Sequence, residues 1–251
     1  MIFDTHVHIC DSRYDPDRGA MLSAARQAGV TKFLNIGAEH EENIRVLDFR
    51  EDGVFASVGL HPHYAEQLND ESEALTNSAY REKRAQAVGE IGLDFFKSPT
   101  GKDIQMKVFR FFMKQAVENG LPVIIHSREA HGEVYAVLKE FGPGLKGIIH
   151  CYTGGLKQAE MFAGLGFIMG IGGVLTFPNA GELRETVEKL PAEFIAAETD
   201  APWLAPQPER GKRNEPAFIR YVIEKIAEIR HISFEETARL TTANAVRALG
   251  L

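Results

Sequence analysis

The sequence predicts an α/β fold, a single (β/α)8 TIM barrel with extra C-terminal helices. Short apolar runs alternate regularly with amphipathic stretches over 251 residues, which is the pattern of parallel strands joined by crossover helices. The competing doubly wound open sheet lacks its fingerprint, because no GxGxxG follows the first apolar run. No linker, repeat or low-complexity tract divides the chain, so residues 1–251 are predicted to form one domain.

The apolar runs define eight predicted strands. They cover residues 2–6, 32–36, 54–58, 87–91, 123–126, 147–150, 167–171 and 194–198. Helical periodicity predicts helices over residues 19–28, 41–50, 103–119, 129–141 and 180–190, with two more, 216–230 and 233–249, after the eighth strand. Gly29, Gly120 and Gly142 stand close after helix ends, where a left-handed cap is needed.

Composition narrows the function classes. The chain is 44% hydrophobic with a formal net charge of −7, so it can bury a full core and has no global basic field. This argues against a nucleic-acid binder held by electrostatics alone, although bound cations would reverse the charge locally. With only two cysteines, no apolar run long enough for a membrane span and no targeting segment, the expected location is cytoplasmic, without membrane association. No obligate protein partner is indicated.

Histidines and carboxylates cluster where the predicted strands end. A TIM barrel gathers the carboxyl ends of its strands into one ring, where enzymes of this fold keep their chemistry. Six of the nine histidines stand at such positions. The polar residues concerned are His6, His8, His61, His63, Glu90, His126, His150 and Asp200.

These side chains predict a metal centre. His6 and His8 project to the same side of an extended chain, as two ligands of one ion would. The alternative, that buried imidazoles only satisfy hydrogen bonds, needs a separate coincidence for each histidine. Four imidazoles and two carboxylates exceed the needs of one tetrahedral zinc ion and suffice for two divalent ions, Zn, Mn or Mg, that share a bridging carboxylate.

Seven short motifs follow one another in a specific order. On these motifs the chain resembles the TatD family of metal-dependent deoxyribonucleases, within the amidohydrolase-like group of TIM-barrel hydrolases, over essentially its whole length. The motifs are FDTHVH (3–8), VGLHPH (58–63), GEIGLD (89–94), PVIIHSREA (122–130), HCYTG (150–154), ETDAPWLAP (198–206) and RGKRNEP (210–216).

The resemblance implies a ligand assignment. The first of two divalent ions would be held by His6, His8 and Asp200 and the second by His126 and His150, and Glu90 would bridge them. The family commonly has an aspartate where this chain has Cys10, so a supporting acceptor is expected to be missing and the affinity for the first ion to differ. A catalytic Cys10 is disfavoured because no dedicated base stands beside it in the sequence.

The expected activity is hydrolysis of DNA by a metal-activated water, as a TatD-type deoxyribonuclease acting 3'-5' as an exonuclease on single strands or 3' ends. Asp200 would accept or orient the proton of the water, and Arg128 would grip a phosphate oxygen unless it pairs with a carboxylate such as Glu129. His61 or His63 would donate a proton to the leaving oxygen or support a ligand, and contact with the substrate or leaving group is favoured. Glu198, on the same strand as Asp200, is expected to support the ligands rather than bind metal.

Substrate contacts are predicted around the barrel mouth. They are His63, Arg128, Tyr152 and the basic run Arg210, Lys212 and Arg213, with Trp203 as a further stacking candidate. Plain packing of the aromatic rings and a solvated surface turn are the alternatives. Two other function classes stay open: a binuclear hydrolase of a small amide, lactone or phosphotriester, and a non-enzymatic metal-binding scaffold. The basic run favours the nuclease, because a small neutral substrate needs no such cations.

Overall fold

Eight parallel strands, paired in chain order from β1 to β8, form the centre of the molecule. The computed structural model describes residues 1–96, 98–142 and 144–251. This order confirms the predicted TIM barrel. The strands are β1 (Ile2–Val7), β2 (Val30–Ile36), β3 (Val54–Val58), β4 (Ala87–Asp94), β5 (Val123–Arg128), β6 (Gly147–Ile149), β7 (Phe167–Ile171) and β8 (Ile195–Ala197).

Helices cover the outside of the barrel and follow the strands. They are α1 (Arg18–Gln27), α2 (His40–Asp48), α3 (Asp70–Arg81), α4 (Lys102–Asn119), α5 (His131–Glu140), α6 (Leu156–Gly164), α7 (Gly181–Lys189), α8 (Ile219–Arg230) and α9 (Phe234–Leu249). The predicted helices are confirmed to within three residues at each end. Helices α3 and α6 were not among the predicted ranges.

Local sequence signals explain where several helices begin and end. Gly29, Gly120 and Gly142 have φ angles of 92°, 64° and 76°, so each adopts the left-handed conformation expected just after a helix. Helix α3 is polar and lacks a strong apolar stripe, but its start is fixed by a capping box. The Asn69 side chain accepts hydrogen bonds from the backbone of Glu71 and Ser72, and the Ser72 hydroxyl accepts one from Asn69.

Alternate strand residues face two different apolar layers. On β5, Ile124 packs inside the barrel, whereas Val123 and Ile125 pack against the surrounding helices. Helix α9 contributes Ala245, Ala248 and Leu249 to the inner cluster. Thr242 accepts a hydrogen bond from the backbone of Phe3, and Asn244 donates to that of Ile195, so α9 closes the amino-terminal end of the barrel. The carboxyl ends of the strands are left as the accessible end.

Hydrogen bonds between β1 and the segment after β8 close the barrel. The Asp200 amide donates to the His6 carbonyl, and the His8 amide donates to the Ala201 carbonyl, both at 2.9 Å. Buried Asp4 reinforces this seam, because Oδ1 accepts from the Thr199 amide at 3.0 Å and Oδ2 from the Thr199 hydroxyl at 2.6 Å. The same seam therefore fixes His6, His8 and Asp200 relative to one another.

Within the described residues, no helix combines the length and the hydropathy that a bilayer crossing requires.

Replacing Thr199 with valine tests this seam. We expect Thr199→Val to lower the free energy of unfolding by about 1–3 kcal/mol, because the buried Asp4 carboxyl loses a hydrogen-bond donor. The measurement is urea denaturation in the presence of a chelator. Thr241→Val is the matched control: Thr241 is also buried, but its hydroxyl donates to the carbonyls of Thr237 and Ala238 within its own helix. Equal losses in the two variants would contradict a special role for the seam.

Candidate metal centre

Strand parity brings His126 of β5 and His150, the residue directly after β6, to the mouth of the barrel. His126 stands two residues after Ile124, and His150 two residues after Ile148, and both isoleucines belong to the inner cluster. Side chains two apart on a strand point the same way, so both imidazoles continue the inward-facing rows. His126 Nδ1 lies 3.2 Å from His150 Nε2. The two rings thus converge although 24 residues separate them.

Glu90 on β4 lies between two pairs of histidines. Its Oε1 is 2.8 Å from His126 Nδ1 and 2.8 Å from His150 Nε2. Its Oε2 faces the other side, 3.4 Å from His6 Nε2 and 4.0 Å from His8 Nε2. One buried carboxylate therefore presents one oxygen to each pair, as a carboxylate that bridges two ions would.

Asp200 completes the group around His6 and His8. Its Oδ1 lies 3.8 Å from Nε2 of each of these two histidines. Asp200 has a φ angle of 56°, a left-handed conformation that is unfavourable for a residue with a side chain. The hydrogen bond from its amide to the His6 carbonyl helps to fix this conformation. Such strain is typical of functional sites.

The donor set fits divalent cations. Three sets of donor atoms lie within 4.8 Å of one another: His6, Glu90 and His150; His6, His8 and Asp200; and His61, Glu90 and His126. Atoms bound to one tetrahedral zinc ion at about 2.1 Å lie about 3.4 Å apart, close to the separations around Glu90. Among the described residues, neither ring nitrogen of buried His6 has a hydrogen-bond partner. A buried polar atom left in this way calls for a ligand.

The electrostatics of the site favour an ionised bridge. Burial on its own would raise the pKa of Glu90, but the imidazoles of His150, His61 and His6 outweigh burial and hold this pKa well below its usual range. Burial raises the pKa of Asp200, although His150, His6 and His8 act in the opposite direction. The two carboxylates thus differ in basicity: Glu90 is suited to permanent ligation, and Asp200 is better able to take a proton.

Three further carboxylates contact the outer nitrogens of the histidines. Glu198 Oε1 lies 3.4 Å from His150 Nδ1, in the supporting position expected for Glu198. Asp94 Oδ2 lies 3.3 Å from His126 Nε2 and 3.0 Å from His63 Nε2. Glu42 Oε1, on α2, lies 3.3 Å from His8 Nδ1. Sequence reasoning gave no role to Asp94 or Glu42, although Asp94 is the last residue of the GEIGLD motif. Glu42 has no comparable signal.

Cys10 takes no part in these contacts with the histidines. Its thiol accepts a hydrogen bond from Asn35 Nδ2 at 3.4 Å. Burial raises the pKa of the Cys10 thiol. A protonated thiol is a poor nucleophile, so the structure gives no support to a catalytic Cys10.

The remaining residues predicted to be catalytic lie at the rim of the site. His61 Nε2 is 3.7 Å from Glu90 Oε1, and His61 Nδ1 accepts a hydrogen bond from the His63 amide at 3.1 Å. Arg128 ends β5 with an exposed side chain, and its guanidinium lies over the Phe96 ring at 4.1 Å. His61 therefore lies next to the bridging carboxylate, and Arg128 stands two residues after His126 at the carboxyl end of β5.

The structure corrects the expectation for Tyr152. Its side chain is only 1% exposed, and its hydroxyl donates to the Gly155 carbonyl at 2.7 Å. The ring packs against His131 and Phe162, so it cannot stack on a base in this structure. Trp203, in contrast, is 46% exposed, and the Arg13 guanidinium lies 3.8 Å from the centre of its ring.

The basic run after β8 is largely paired within the protein. Arg213 donates to both carboxylate oxygens of Asp17, to Glu215 and to the Arg13 carbonyl. Lys212 pairs with Glu209 at 2.7 Å, and the Arg210 guanidinium lies 4.4 Å from the centre of the Phe177 ring. Arg213 thus ties two distant segments together, which reduces its availability to a substrate, whereas Arg210 and Lys212 are exposed.

A parallel eight-stranded barrel with this ring of histidines and carboxylates defines a metal-dependent hydrolase. The family model described as TatD related DNase matches residues 3–250, and the chain belongs to that family. The uncharacterized metal-dependent hydrolase YabD of Bacillus subtilis (strain 168) is 38% identical, over 98% of each chain. The 3'-5' ssDNA/RNA exonuclease TatD of Erwinia amylovora is 32% identical over 100% of both chains. The crystal structure of YJJV, a TatD homologue from Escherichia coli K12, has a TM-score of 0.91 and 33% identity, and covers 100% of this chain and 98% of that one.

Metal removal tests the proposed centre. A ligand that binds only the folded state stabilises it by about 2.7 kcal/mol at a concentration 100 times its Kd, so zinc or manganese should raise the melting temperature and a chelator should reverse the rise. Glu90→Gln should lose most of this metal-dependent shift. His231→Asn is the control, because His231 is an exposed histidine in a left-handed conformation that asparagine tolerates. An undiminished shift in Glu90→Gln would rule out Glu90 as a ligand.

Proposed function

We propose that the protein is a divalent-metal-dependent phosphodiester hydrolase that acts as a 3'-5' exonuclease on single-stranded DNA or on 3' ends. The observation that carries this proposal is the split Glu90 carboxylate, with one oxygen toward each pair of histidines. The name of the Erwinia amylovora relative supports the substrate class. The location predicted from the sequence, the cytoplasm, remains part of the same proposal.

In this proposal His6, His8 and Asp200 would hold one ion, His126 and His150 would hold the other, and Glu90 would be shared. Two Mg²⁺, Mn²⁺ or Zn²⁺ ions would supply Lewis acidity and lower the pKa of water at the site. Asp200 receives the proton of the attacking water, because burial raises its pKa. Glu90 stays ionised and keeps the two groups of histidines together.

His61 donates a hydrogen bond to the leaving oxygen. Burial and the neighbouring His126 hold the pKa of His61 well below its usual value, so the ring is neutral. Because His61 Nδ1 accepts from the His63 amide, the proton of the neutral ring is on Nε2. That proton faces Glu90, and a phosphate bound at the centre would receive it from there.

Side chains at the rim hold the rest of the strand. The Arg128 guanidinium is exposed and contacts two oxygens of a phosphate with its planar fork. His63 is held in place by Asp94, whose Oδ2 lies 3.0 Å from His63 Nε2. Trp203 provides an exposed ring on which a base stacks, and Arg210 and Lys212 extend the cationic surface.

Two substitutions at the centre test the activity. Glu90→Gln should lower both the metal content per chain and the rate of hydrolysis, while the barrel stays folded. Asp200→Asn should lower kcat more than it raises KM, because Asp200 acts mainly in the transition state. The assay follows the cleavage of end-labelled single-stranded DNA, RNA and oligonucleotides with blocked 3' ends, each with Mg²⁺, Mn²⁺ or Zn²⁺. One gel then shows the direction of cleavage, the preferred substrate and the preferred metal. Full phosphodiesterase activity in Glu90→Gln would exclude a shared bridge.

The basic residues after β8 separate a nuclease from a hydrolase of small substrates. Arg210→Ala combined with Lys212→Ala should weaken oligonucleotide binding and make the slope of log K against log salt shallower by about 1.4 units, because two fewer counterions are released. Hydrolysis of a small chromogenic phosphodiester should be nearly unchanged. Arg213 is left intact, since its loss would release Asp17 and Glu215.

The matched control for this variant is Lys139→Ala combined with Lys189→Ala. It removes the same charge near the ends of α5 and α7, which lie at the opposite end of a barrel of this type. Its binding and salt dependence should match the wild type. Equal losses on both substrates in the Arg210 and Lys212 variant would implicate the metal centre instead. No loss on either would show that these residues do not hold the substrate.

A further inference from the structure

Glu42 is a buried carboxylate that belongs to no motif. It lies in the first turn of α2, and its two oxygens have different neighbours. Oε2 accepts a hydrogen bond from the Ala38 amide at 2.9 Å, and Oε1 lies 3.3 Å from His8 Nδ1. Burial of a glutamate costs desolvation free energy, so its interactions with these two neighbours must offset that cost.

We propose that Glu42 is a positioning residue that holds the imidazole of His8 in the tautomer and orientation required to bind metal through Nε2. This inference rests on the proposed metal-dependent function. It means that helix α2, outside the barrel, influences the affinity for the ion that His6, His8 and Asp200 would hold.

The two nitrogens of His8 face different groups. Nδ1 faces Glu42, whereas Nε2 faces the centre, 3.8 Å from Asp200 Oδ1 and 4.0 Å from Glu90 Oε2. A histidine ligand needs a lone pair on one nitrogen, and the hydrogen bond made by the other nitrogen decides which one carries it. An ionised carboxylate only accepts, so Glu42 requires a proton on Nδ1. The lone pair of His8 is then directed at the centre.

Only a carboxylate serves both neighbours of Glu42. The Ala38 amide and His8 Nδ1–H are both donors, and each takes one oxygen. A glutamine offers a single carbonyl oxygen. If that oxygen accepts from Ala38, the amide NH2 group faces the ring, donates to Nδ1 and favours the tautomer with the proton on Nε2. In that orientation Glu42→Gln keeps the backbone hydrogen bond but removes the lone pair from the metal side, whereas the opposite orientation would leave the Ala38 amide without this acceptor.

Position 10 does not supply this acceptor. The Cys10 thiol is engaged with Asn35 Nδ2, and Asn35 Oδ1 accepts from the Ile9 amide at 3.0 Å. The first turn of α2 thus provides the carboxylate that the FDTHVH segment lacks after His8. Glu42 would therefore stand in for the acceptor expected to be missing at position 10.

The experiment measures zinc affinity by competition with a chelator in the wild type, Glu42→Gln, Glu42→Asp and Glu41→Gln. Glu41 is the control, because it loses the same charge from the same turn but is exposed. We expect Glu42→Gln to bind one of the two zinc ions about 10–100-fold more weakly, and Glu41→Gln to stay within about twofold of the wild type. Glu42→Asp keeps an acceptor-only group on a shorter side chain and should fall between them.

A second measurement reads the tautomer directly. Nitrogen-15 NMR of the zinc-loaded wild type should show a proton on His8 Nδ1, assigned by its loss in His8→Gln. Zinc affinity of Glu42→Gln equal to that of Glu41→Gln would overturn the proposal, as would a wild-type His8 without a proton on Nδ1. If Glu42→Gln does not fold, Glu42→Asp with wild-type zinc affinity overturns it. A wild type that binds zinc but cleaves no nucleic acid would refute the nuclease and leave the role of Glu42 intact.

Discussion

The hydrogen-bonded seam between β1 and the segment after β8 is the constraint on which both the barrel and its candidate site depend. A barrel closes only if its first and last strands meet, and here they meet through His6, His8, Asp200 and Ala201. Closure of the barrel alone therefore brings together side chains that are almost 200 positions apart in the sequence. Asp4 makes the seam specific, since its buried carboxyl is satisfied by Thr199 on the opposite side. Fold stability and ligand geometry are consequences of the same contacts.

The burial of many polar groups at the carboxyl end of the barrel costs free energy, and a bound cation would offset that cost. Glu90, His6 and His150 are buried together, and burial of such groups is unfavourable unless charge and hydrogen bonds are balanced. The imidazoles hold Glu90 ionised, yet His6 has no hydrogen-bond partner among the described residues. An arrangement of this kind is suited to a bound ion. Ligation would satisfy these nitrogen and oxygen atoms together, and the free energy of metal binding would add to the stability of the fold.

The periodicity of the sequence predicted the fold and much of the candidate site. Along a strand, side chains alternate between the two faces of the sheet, so the position of a residue in the strand determines which face it lies on. His126 and His150 could be placed because each continues an inward row through Ile124 or Ile148. Residues outside strands obey no such rule. The chain turns at Cys151, whose φ is 44°, and the next residue, Tyr152, is buried instead of lining the pocket. Glu42 could not be found from the sequence, because its contact with His8 depends on how α2 packs. The pairing of Arg213 with Asp17, 196 residues away, was hidden for the same reason.

The ion pairs of Arg213 and Lys212 limit how the protein could bind its substrate. With Arg213 committed to Asp17 and Glu215, the exposed cations of the loop after β8 are Arg210 and Lys212, and the charge of Lys212 is partly offset by Glu209. With a net charge of −7, the chain also has no overall positive field to attract a duplex. The proposed nuclease therefore binds its substrate mainly close to the reaction centre, through ions that the histidines would hold, the Arg128 fork and the exposed ring of Trp203, and Arg210 and Lys212 add contacts beside it. Contacts restricted to a few nucleotides favour a flexible single strand or a frayed 3' end over the middle of a double helix.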